Sequence, residues 1–227
     1  METIEIWKVP LYLEDTGLEA LERLLSPDES ARAAAFRFPD GRRRYSASRG
    51  ALRAILSHYT GEKPADLLLT ATQAGKPELA GRSAVVHFNV SHSQDTCLIA
   101  VSRSRPVGID VETIKPDIEL EKIAERFFTL GEYEALMALP EDLRLKAFYR
   151  CWTFKEAYVK ALGSTMWELM EKVEVSLDLS EPPAIIHGRE PLEEWFLAAL
   201  PLGETLAGAL ASPGKEAPIA WHTFQGP

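Results

Sequence analysis

The stretch PVGIDVE, Pro106 to Glu112, decides how this chain folds and what it can bind. Its first residues are apolar and typical of a buried strand, and Asp110 and Glu112 then stand on either side of Val111. Because strand side chains alternate between faces, the two carboxylates point the same way. Like charges on one face repel each other, and burying either carboxylate costs free energy. The pattern therefore predicts a positively charged or hydrogen-bonding group opposite the two acids that offsets their repulsion and the cost of burying them.

The composition is that of a globular protein with an acidic balance. The chain has 227 residues, of which 46% are hydrophobic and 26% charged, and its formal net charge is −9. This charge argues against nucleic acid as the main partner. No apolar run approaches the roughly 20 residues that a membrane-spanning helix needs. The opening METIEIWKVP lacks the pattern of a signal peptide. We therefore predict a cytoplasmic protein with no membrane partner.

Basic charge is concentrated in one segment of this acidic chain. Between Ala31 and Arg53 there are seven arginines and a single acid, Asp40. Such a block is usually a solvated helix face, but it is equally suited to binding a small anion such as phosphate. Composition does not choose between these interpretations.

Local patterns predict an α+β fold made of two similar halves. Capping boxes start helices at Ser26 and Thr129, and longer helices are predicted from about Arg43 to Tyr59 and from Pro140 to about Leu162. AVVHFNV, DTCLIAVS and VGIDVE read as strands of one small antiparallel sheet. Further strand-like stretches are TIEIWKVPL, ADLLLTAT, VEVSLDL, AIIHG, WFLAAL, TLAGALA and IAWHTF. The coarse repetition predicts a pseudo-twofold pair of α/β halves, each a small antiparallel sheet packed with helices, covering residues 1–105 and 106–227.

The predicted long helix carries a polar cluster in FYRCWTFKEAYVKALG, Phe148 to Gly163. Trp152, Glu156 and Lys160 are four residues apart and therefore lie along one face. From the helix alone, the favoured interpretation is a simple Glu156–Lys160 pair, worth about 0.3–0.5 kcal/mol.

Two further polar segments are weak signals when taken alone. FNVSHS ends a predicted strand with Ser91, His92 and Ser93, which is compatible with ordinary turn chemistry. Since neighbouring strand residues face opposite ways, Ser91 and His92 are a poor nucleophile–base pair, and His92 is better suited to donating to a phosphate. AGKPEL, with Lys76, lacks the spacing of a Walker phosphate loop.

Taken in order, these motifs resemble the phosphopantetheinyl transferases, in particular the larger, single-chain, pseudo-dimeric (Sfp-type) group. The series is AGKPEL, FNVSHS, VGIDVE, IAERFFTLGEYEAL and FYRCWTFKEAYVKALG, within about residues 42–163. GIDVE followed some forty residues later by WTFKEAYVK is the most specific part of the resemblance.

The resemblance implies an enzyme that moves the 4′-phosphopantetheine arm of coenzyme A onto a serine of an acyl or peptidyl carrier protein. The reaction would use Mg²⁺, with Mn²⁺ as a substitute, and release adenosine 3′,5′-bisphosphate. Asp110, Glu112 and Glu156 would bind the metal, which answers the opening question because a divalent cation removes the repulsion between carboxylates. The pseudo-dimeric chain would act as a monomer.

The resemblance also implies roles for individual side chains. Glu156 would take the proton of the incoming serine, directly or through a water molecule, and Lys160 would assist as the second catalytic residue. Coenzyme A would contact Arg44, Arg49, Lys76, Ser91, His92, Asp110, Lys155 and Lys160. Whether Arg44 or Arg49 meets the 3′-phosphate stays open, as does the identity of the carriers.

One departure from the family pattern follows the long helix. Where the family commonly continues with another glycine and a leucine, this chain has Ser164–Trp167, which bears on how the arm and the carrier are accommodated. Phe127, Phe128 and Met137 are candidate apolar contacts for the carrier. Two alternatives are a relative that binds coenzyme A without transfer and an unrelated Mg²⁺-dependent phosphohydrolase.

Overall fold

The computed structural model describes residues 3–72, 75–81, 85–188 and 195–227, and mixes helices with small sheets. Ala74 of AGKPEL and Ala84 of AVVHFNV lie outside these ranges. The α-helices of the described residues are α1 (Asp15–Glu22), α2 (Pro27–Ala34), α3 (Pro39–Thr60), α4 (Leu120–Phe127), α5 (Leu130–Ala138), α6 (Glu141–Ala161) and α7 (Met166–Leu169). This mixture confirms the α+β class.

Strands of the described residues are β1 (Ile4–Pro10), β2 (Leu69–Ala71), β3 (Pro77–Leu79), β4 (His87–Ser93), β5 (Thr96–Ser102), β6 (Gly108–Thr113), β7 (Glu174–Val175), β8 (Ile185–His187), β9 (Trp195–Ala199), β10 (Leu206–Pro213) and β11 (Ile219–Thr223). One sheet has the order β11-β1-β5-β4 and another the order β6-β10-β9, while β2–β3 and β7–β8 form short hairpins. All neighbours are antiparallel except β1 and β11, which run parallel.

The sheet prediction needs one correction. β4 and β5 pair as expected, but β6 pairs with β10 rather than joining them. The other edge of β6 has no paired strand, but it faces polar side chains of β4, as described below. The last strand, β11, lies in the first sheet although it follows the predicted second half, and the division into two similar halves stays a prediction.

Local chain signals account well for the helix ends. Ser26 with Glu29 and Thr129 with Glu132 form the predicted capping boxes. Gly61 adopts a left-handed conformation (φ 73°) and ends α3. The sequence interpretation missed α1, whose eight residues bury only two leucines and so give little periodic signal.

The two main sheets pack face to face and carry the long helices on their other sides. Apolar side chains of β1 and β5 meet those of β6 and β10 in one buried cluster. Helix α3 contributes to the core of the first sheet and α6 to that of the second. Among the described residues, no helix is long and apolar enough to cross a membrane. The free edge of β6 thus comes to lie between β4 and the end of α6.

Candidate active site

Three carboxylates converge where β6 meets α6. Asp110 and Glu112 lie on β6, Glu156 lies on α6, and one oxygen from each falls within 4.8 Å of the others. Asp110 is almost fully enclosed, with 1% of its surface exposed, while the other two are partly buried. We call these three residues the acid cluster. The two acids of β6 and the acid of α6 thus lie together, as the family resemblance implies.

Gly108 allows α6 to approach β6 closely enough for this cluster to form. A Cβ atom at position 108 would lie 1.9 Å from the Ala157 carbonyl oxygen and 2.5 Å from the Ala161 nitrogen. These are backbone atoms of the last turn of α6, so there is no flexible side chain to move aside. The glycine of GIDVE therefore sets the separation of strand and helix.

Side chains of β4, rather than its backbone, satisfy the near edge of β6. Three backbone N–H groups donate across this gap, and we call their acceptors the polar row. The bonds are Ile109 N to Asn89 Oδ1 at 2.8 Å, Val111 N to Ser91 Oγ at 3.3 Å and Thr113 N to Ser93 Oγ at 2.9 Å. Buried backbone donors need partners, so the polar row fixes β6 without making it part of the first sheet.

The polar row also holds the carboxylates themselves. Ser91 Oγ donates to Asp110 Oδ1 at 2.8 Å, and Ser93 Oγ donates to Glu112 Oε2 at 3.3 Å. Neither Asn89 nor Ser93 was predicted as a site residue, and turn chemistry is not their main role. Their spacing two apart on a strand, together with Ser91, is the signal that indicates one shared face.

Lys160 lies in the middle of the acid cluster. Its Nζ donates to Asp110 Oδ1 at 2.6 Å and to Ser91 Oγ at 3.2 Å, and it is 3.2 Å from Glu156 Oε2. Burial alone would lower the pKa of Lys160, yet the charges of Asp110 and Glu156 raise it above its usual value. The ammonium group therefore stays charged at neutral pH, and the Glu156–Lys160 pair is more than a surface contact.

One ammonium ion does not balance three acids. Burial, and then the charges of Asp110 and Glu156, raise the pKa of Glu112 to about 7. Burial and then Asp110 raise the pKa of Glu156, although Lys160 and a hydrogen bond from Trp152 act in the opposite direction. The site is thus short of positive charge.

The acid cluster fits a hard divalent cation. Asp110 Oδ2 is buried and has no hydrogen-bond partner among the described residues, an arrangement that is costly for a carboxylate. Mg²⁺ prefers carboxylate oxygens and uses few protein ligands, leaving positions for phosphate and water. Asp110, Glu112 and Glu156 supply such a donor set, with one oxygen still lacking a partner.

A cleft of about 690 Å³ opens on the other side of β4, between α3 and the β2–β3 hairpin. Arg44, Arg49 and His92 line it, together with the rings of Phe36 and Tyr45. This volume lies in the range of small-molecule sites. We call it the arginine cleft, and it gathers three of the predicted phosphate-binding residues.

Acidic side chains hold both Arg44 and Arg49 in the cleft. Arg44 Nε lies 3.1 Å from Asp95 Oδ1, and Arg49 Nε lies 2.5 Å from Glu29 Oε1. Glu29 also binds the buried Arg53. Burial alone would raise the pKa of Glu29, but its bonds to Arg53, to the Ser26 backbone N–H and to Arg49 lower it below the usual value. Because both Arg44 and Arg49 line the cleft, the choice between them for the 3′-phosphate stays open.

Lys76 bridges the two parts of the site. Its Nζ donates to the carbonyl oxygen of Lys160 at 2.9 Å and to that of Val107 at 3.3 Å. Burial lowers the pKa of Lys76. The flanking residues Gly75 and Pro77 line the arginine cleft, so Lys76 ties the hairpin that borders the cleft to the end of α6.

Lys155 requires a correction to the predicted coenzyme contacts. Its side chain is fully buried and bonded to the carboxylate of Glu132, which also accepts a hydrogen bond from Val175 N at 2.8 Å. Consecutive helix residues point about 100° apart, so Lys155 faces the core between α6 and α5 while Glu156 faces the acid cluster. We therefore remove Lys155 from the binding residues.

An exposed aromatic patch lies one helical turn from Glu156. Phe127 contacts Trp152 and Trp167 at ring-centroid distances of 5.6 and 5.5 Å, and the Arg126 guanidinium covers Phe127 and Trp167. Trp167 is 75% exposed. We call these four residues the aromatic patch. It contains part of the Ser164–Trp167 departure, whereas Phe128 is buried in the core.

Comparison with known proteins identifies the class of enzyme. The profile of the 4′-phosphopantetheinyl transferase superfamily matches residues 106–211, and that of an N-terminal 4′-phosphopantetheinyl transferase region matches residues 14–104. The chain belongs to this superfamily, and it is a 4′-phosphopantetheinyl transferase.

Two of the curated relatives match almost the whole chain, and a third matches more than two thirds of it. The 4′-phosphopantetheinyl transferase HetI of Nostoc sp. is 39% identical over 224 residues, or 97% of this chain and 92% of the relative. A putative 4′-phosphopantetheinyl transferase of Synechocystis sp. is 31% identical over 96% of this chain and 87% of its own length. The transferase AcpT of Salmonella typhimurium is 34% identical over 70% of this chain and 78% of its own length. The relatives support transfer of the phosphopantetheine group to carrier proteins.

Proposed function

We propose that this enzyme transfers the 4′-phosphopantetheine arm of coenzyme A to a serine of an acyl or peptidyl carrier protein in a Mg²⁺-dependent reaction, releasing adenosine 3′,5′-bisphosphate. The observation that carries the metal-dependent part is the convergence of Asp110, Glu112 and Glu156 within 4.8 Å. The unpartnered oxygen of Asp110 supports the same conclusion.

The acid cluster holds the metal, and the arginine cleft holds the nucleotide. Mg²⁺ supplies Lewis-acid stabilisation of negative charge on the pyrophosphate when it is bound. Arg44 and Arg49 neutralise the phosphates of the adenosine end, because guanidinium groups bind phosphate through paired hydrogen bonds. His92 donates a hydrogen bond to the same phosphates. Mn²⁺ satisfies the same oxygen ligands.

The serine is the nucleophile and comes from the carrier. Its oxygen forms a bond to the phosphorus that bears pantetheine, while the bond from that phosphorus to the oxygen of the leaving bisphosphate breaks. Glu156 accepts the serine proton through a water molecule, since a metal-bound carboxylate is a weak base for direct transfer. Lys160 stabilises the charge of the phosphates.

The carrier covers the aromatic patch during the reaction. Acidic carriers are not attracted by the net charge of −9 on this chain, so a local basic and apolar surface must bind them. Arg126, Phe127 and Trp167 provide such a surface next to the Trp152–Glu156 turn. The enzyme acts in the cytoplasm as a monomer composed of the two predicted halves. Sedimentation with coenzyme A bound measures the mass of the protein in solution and so tests the monomeric state.

The decisive experiment is incubation of the protein with coenzyme A, Mg²⁺ and a panel of apo carriers from the same organism. Mass spectrometry should show that at least one carrier gains the mass of the arm, and a chelator should stop the reaction. Asp110→Ala should abolish transfer, while Asp66→Ala, the same change at an exposed acid, should not.

Two results would overturn the proposal. Release of phosphate or adenylate from coenzyme A without a carrier indicates a phosphohydrolase. Coenzyme binding without mass gain on any carrier indicates a binding protein.

A further inference from the structure

The ammonium group of Lys160 uses all of its hydrogen-bonding capacity inside the protein. A lysine side chain has three N–H donors, and Lys160 Nζ has three oxygen neighbours at 2.6, 3.2 and 3.2 Å. These oxygens belong to Asp110, Glu156 and Ser91. In this arrangement Lys160 has no donor left for a phosphate, which is the role that the proposed function gives it.

Lys160 is also bonded to two of the carboxylates that would hold a metal. Asp110 and Glu156 are two of the three residues whose oxygens fall within 4.8 Å of one another. A cation held by that group would lie a few ångströms from Nζ, and like charges at such a separation repel strongly in a partly buried site. Lys160 and a divalent cation therefore compete for the same carboxylates.

The position of Lys160 permits its head group to leave. The residue lies in the last turn of α6, and its side chain is 27% exposed. Its carbonyl oxygen accepts from Lys76 Nζ, which anchors the backbone while the side chain turns. Lys155 on the same helix is different, because it is 0% exposed and enclosed with Glu132.

We propose that Lys160 is a resident counter-ion, which neutralises the acid cluster in the metal-free enzyme and is displaced when a divalent cation binds. The inference rests on the proposed metal site and adds that metal binding controls whether Lys160 can reach coenzyme A. Displacement frees three donors beside the cation, so Lys160 becomes available to coenzyme A phosphates only after the metal has entered. Metal and coenzyme A then bind with positive cooperativity.

Calorimetric titration of the enzyme with Mg²⁺, and separately with Mn²⁺, tests the competition in the absence of coenzyme A. Lys160→Met keeps the stem of the side chain and removes the competing charge, so it should bind either metal at least about tenfold more tightly than the unmodified protein. Lys146→Met, the same change at an exposed position of α6, should leave the affinity unchanged. Equal or weaker affinity in Lys160→Met overturns the inference, even if the unmodified enzyme transfers the arm normally.

A second measurement needs no variant. Nitrogen-15 spectra of the lysine ammonium groups should show slow hydrogen exchange at Lys160 and at Lys155 in the metal-free protein. Saturating Mg²⁺ should abolish the protected signal of Lys160 and leave that of Lys155 intact. Persistence of both signals with Mg²⁺ bound refutes displacement. Absence of Mg²⁺ binding to both the unmodified protein and Lys160→Met removes the metal site, and the counter-ion role falls with it.

Discussion

Ser91 illustrates how a single hydroxyl can support both a strand and a reactive centre. It donates to Asp110 Oδ1 and accepts from Val111 N and from Lys160 Nζ. A serine hydroxyl has one donor and two acceptor positions, so Ser91 has no capacity left. It orients Asp110 and Lys160 while closing the edge of β6, and in this structure it acts as a positioning residue.

Replacing Ser91 should therefore affect stability and metal binding together. Ser91→Ala leaves a buried N–H without its acceptor, and we expect a loss of about 1–3 kcal/mol in the free energy of unfolding. Because outer-shell partners of metal ligands typically contribute 10–100-fold, we expect a loss of about that size in Mg²⁺ affinity. Urea unfolding and calorimetry measure the two effects. Ser57→Ala, which removes the hydroxyl that bonds Glu62 O at the end of α3, should leave Mg²⁺ affinity intact; an equal loss there would contradict a positioning role for Ser91.

At the scale of elements, the contact between β6 and α6 depends on the absence of one side chain. In Gly108→Ala the new methyl group would meet the backbone of α6 at 1.9 Å. Helix and strand must separate, and we expect a loss of at least about 2 kcal/mol in the free energy of unfolding, with Mg²⁺ affinity reduced because Glu156 moves away from Asp110. Urea unfolding and metal titration test both effects.

The matched control for this variant is Gly17→Ala in α1, where a new Cβ lies no closer than 3.9 Å to its nearest neighbour. Alanine is the better helix former, so that variant should gain up to about 1 kcal/mol. Unchanged stability and metal affinity in Gly108→Ala would show that the helix does not rest on the strand as described.

A buried acid joins α2 to α3 and supports the arginine cleft. Glu29 has a lowered pKa because its bonds to Arg53, to the Ser26 backbone N–H and to Arg49 outweigh burial. The stability that it contributes is fully present above its unfolded pKa of about 4.5 and is lost as the pH falls through the lower folded value. Glu29→Gln should cost about 3 kcal/mol at pH 7, since it leaves Arg53 buried without its charge partner, and should reduce the loss of stability in acid.

Unfolding measurements at several pH values test this prediction. Glu19→Gln, which affects only an exposed pair with Arg23, should change stability by less than about 1 kcal/mol at every pH. A Glu29→Gln variant with the same acid dependence as the unmodified protein would rule out the assigned role of Glu29.

The elements also show which features the sequence could predict. The capping boxes depend on local sequence, and so does the helix that carries Trp152, Glu156 and Lys160 along one face. The structure contains both capping boxes and this helix. The pairing of β6 with β10 depends on contacts across about a hundred residues, which no local pattern specifies. Lys155 is an avoidable error, because the helical period alone separates its direction from that of Glu156.

At the scale of the whole molecule, the two long helices and two sheets place the arginine cleft and the acid cluster on different sides of β4 and β6. The arginine cleft lies on the α3 side of β4, and the acid cluster lies where β6 meets α6. Lys76 and the polar row connect the two regions. A ligand with a nucleotide at one end and a reactive phosphate at the other, as the proposed function requires, suits this arrangement. The parallel pairing of β11 with β1, which closes the chain on itself, was not predicted.

Carrier recognition belongs to this largest scale, because in the proposed reaction the carrier covers the surface beside Glu156. Trp167 is 75% exposed and is held by Phe127 and Arg126 rather than by the core. If the aromatic patch binds the carrier, Trp167→Ala should raise KM for the carrier about tenfold or more, as expected for an aromatic interface residue worth over 1 kcal/mol. KM for coenzyme A and the Mg²⁺ affinity should stay unchanged, since neither the arginine cleft nor the acid cluster includes Trp167. Trp221→Ala removes another exposed tryptophan, on β11, and should alter none of these constants. A Trp167→Ala enzyme with an unchanged KM for every carrier that it modifies would show that the carrier binds elsewhere.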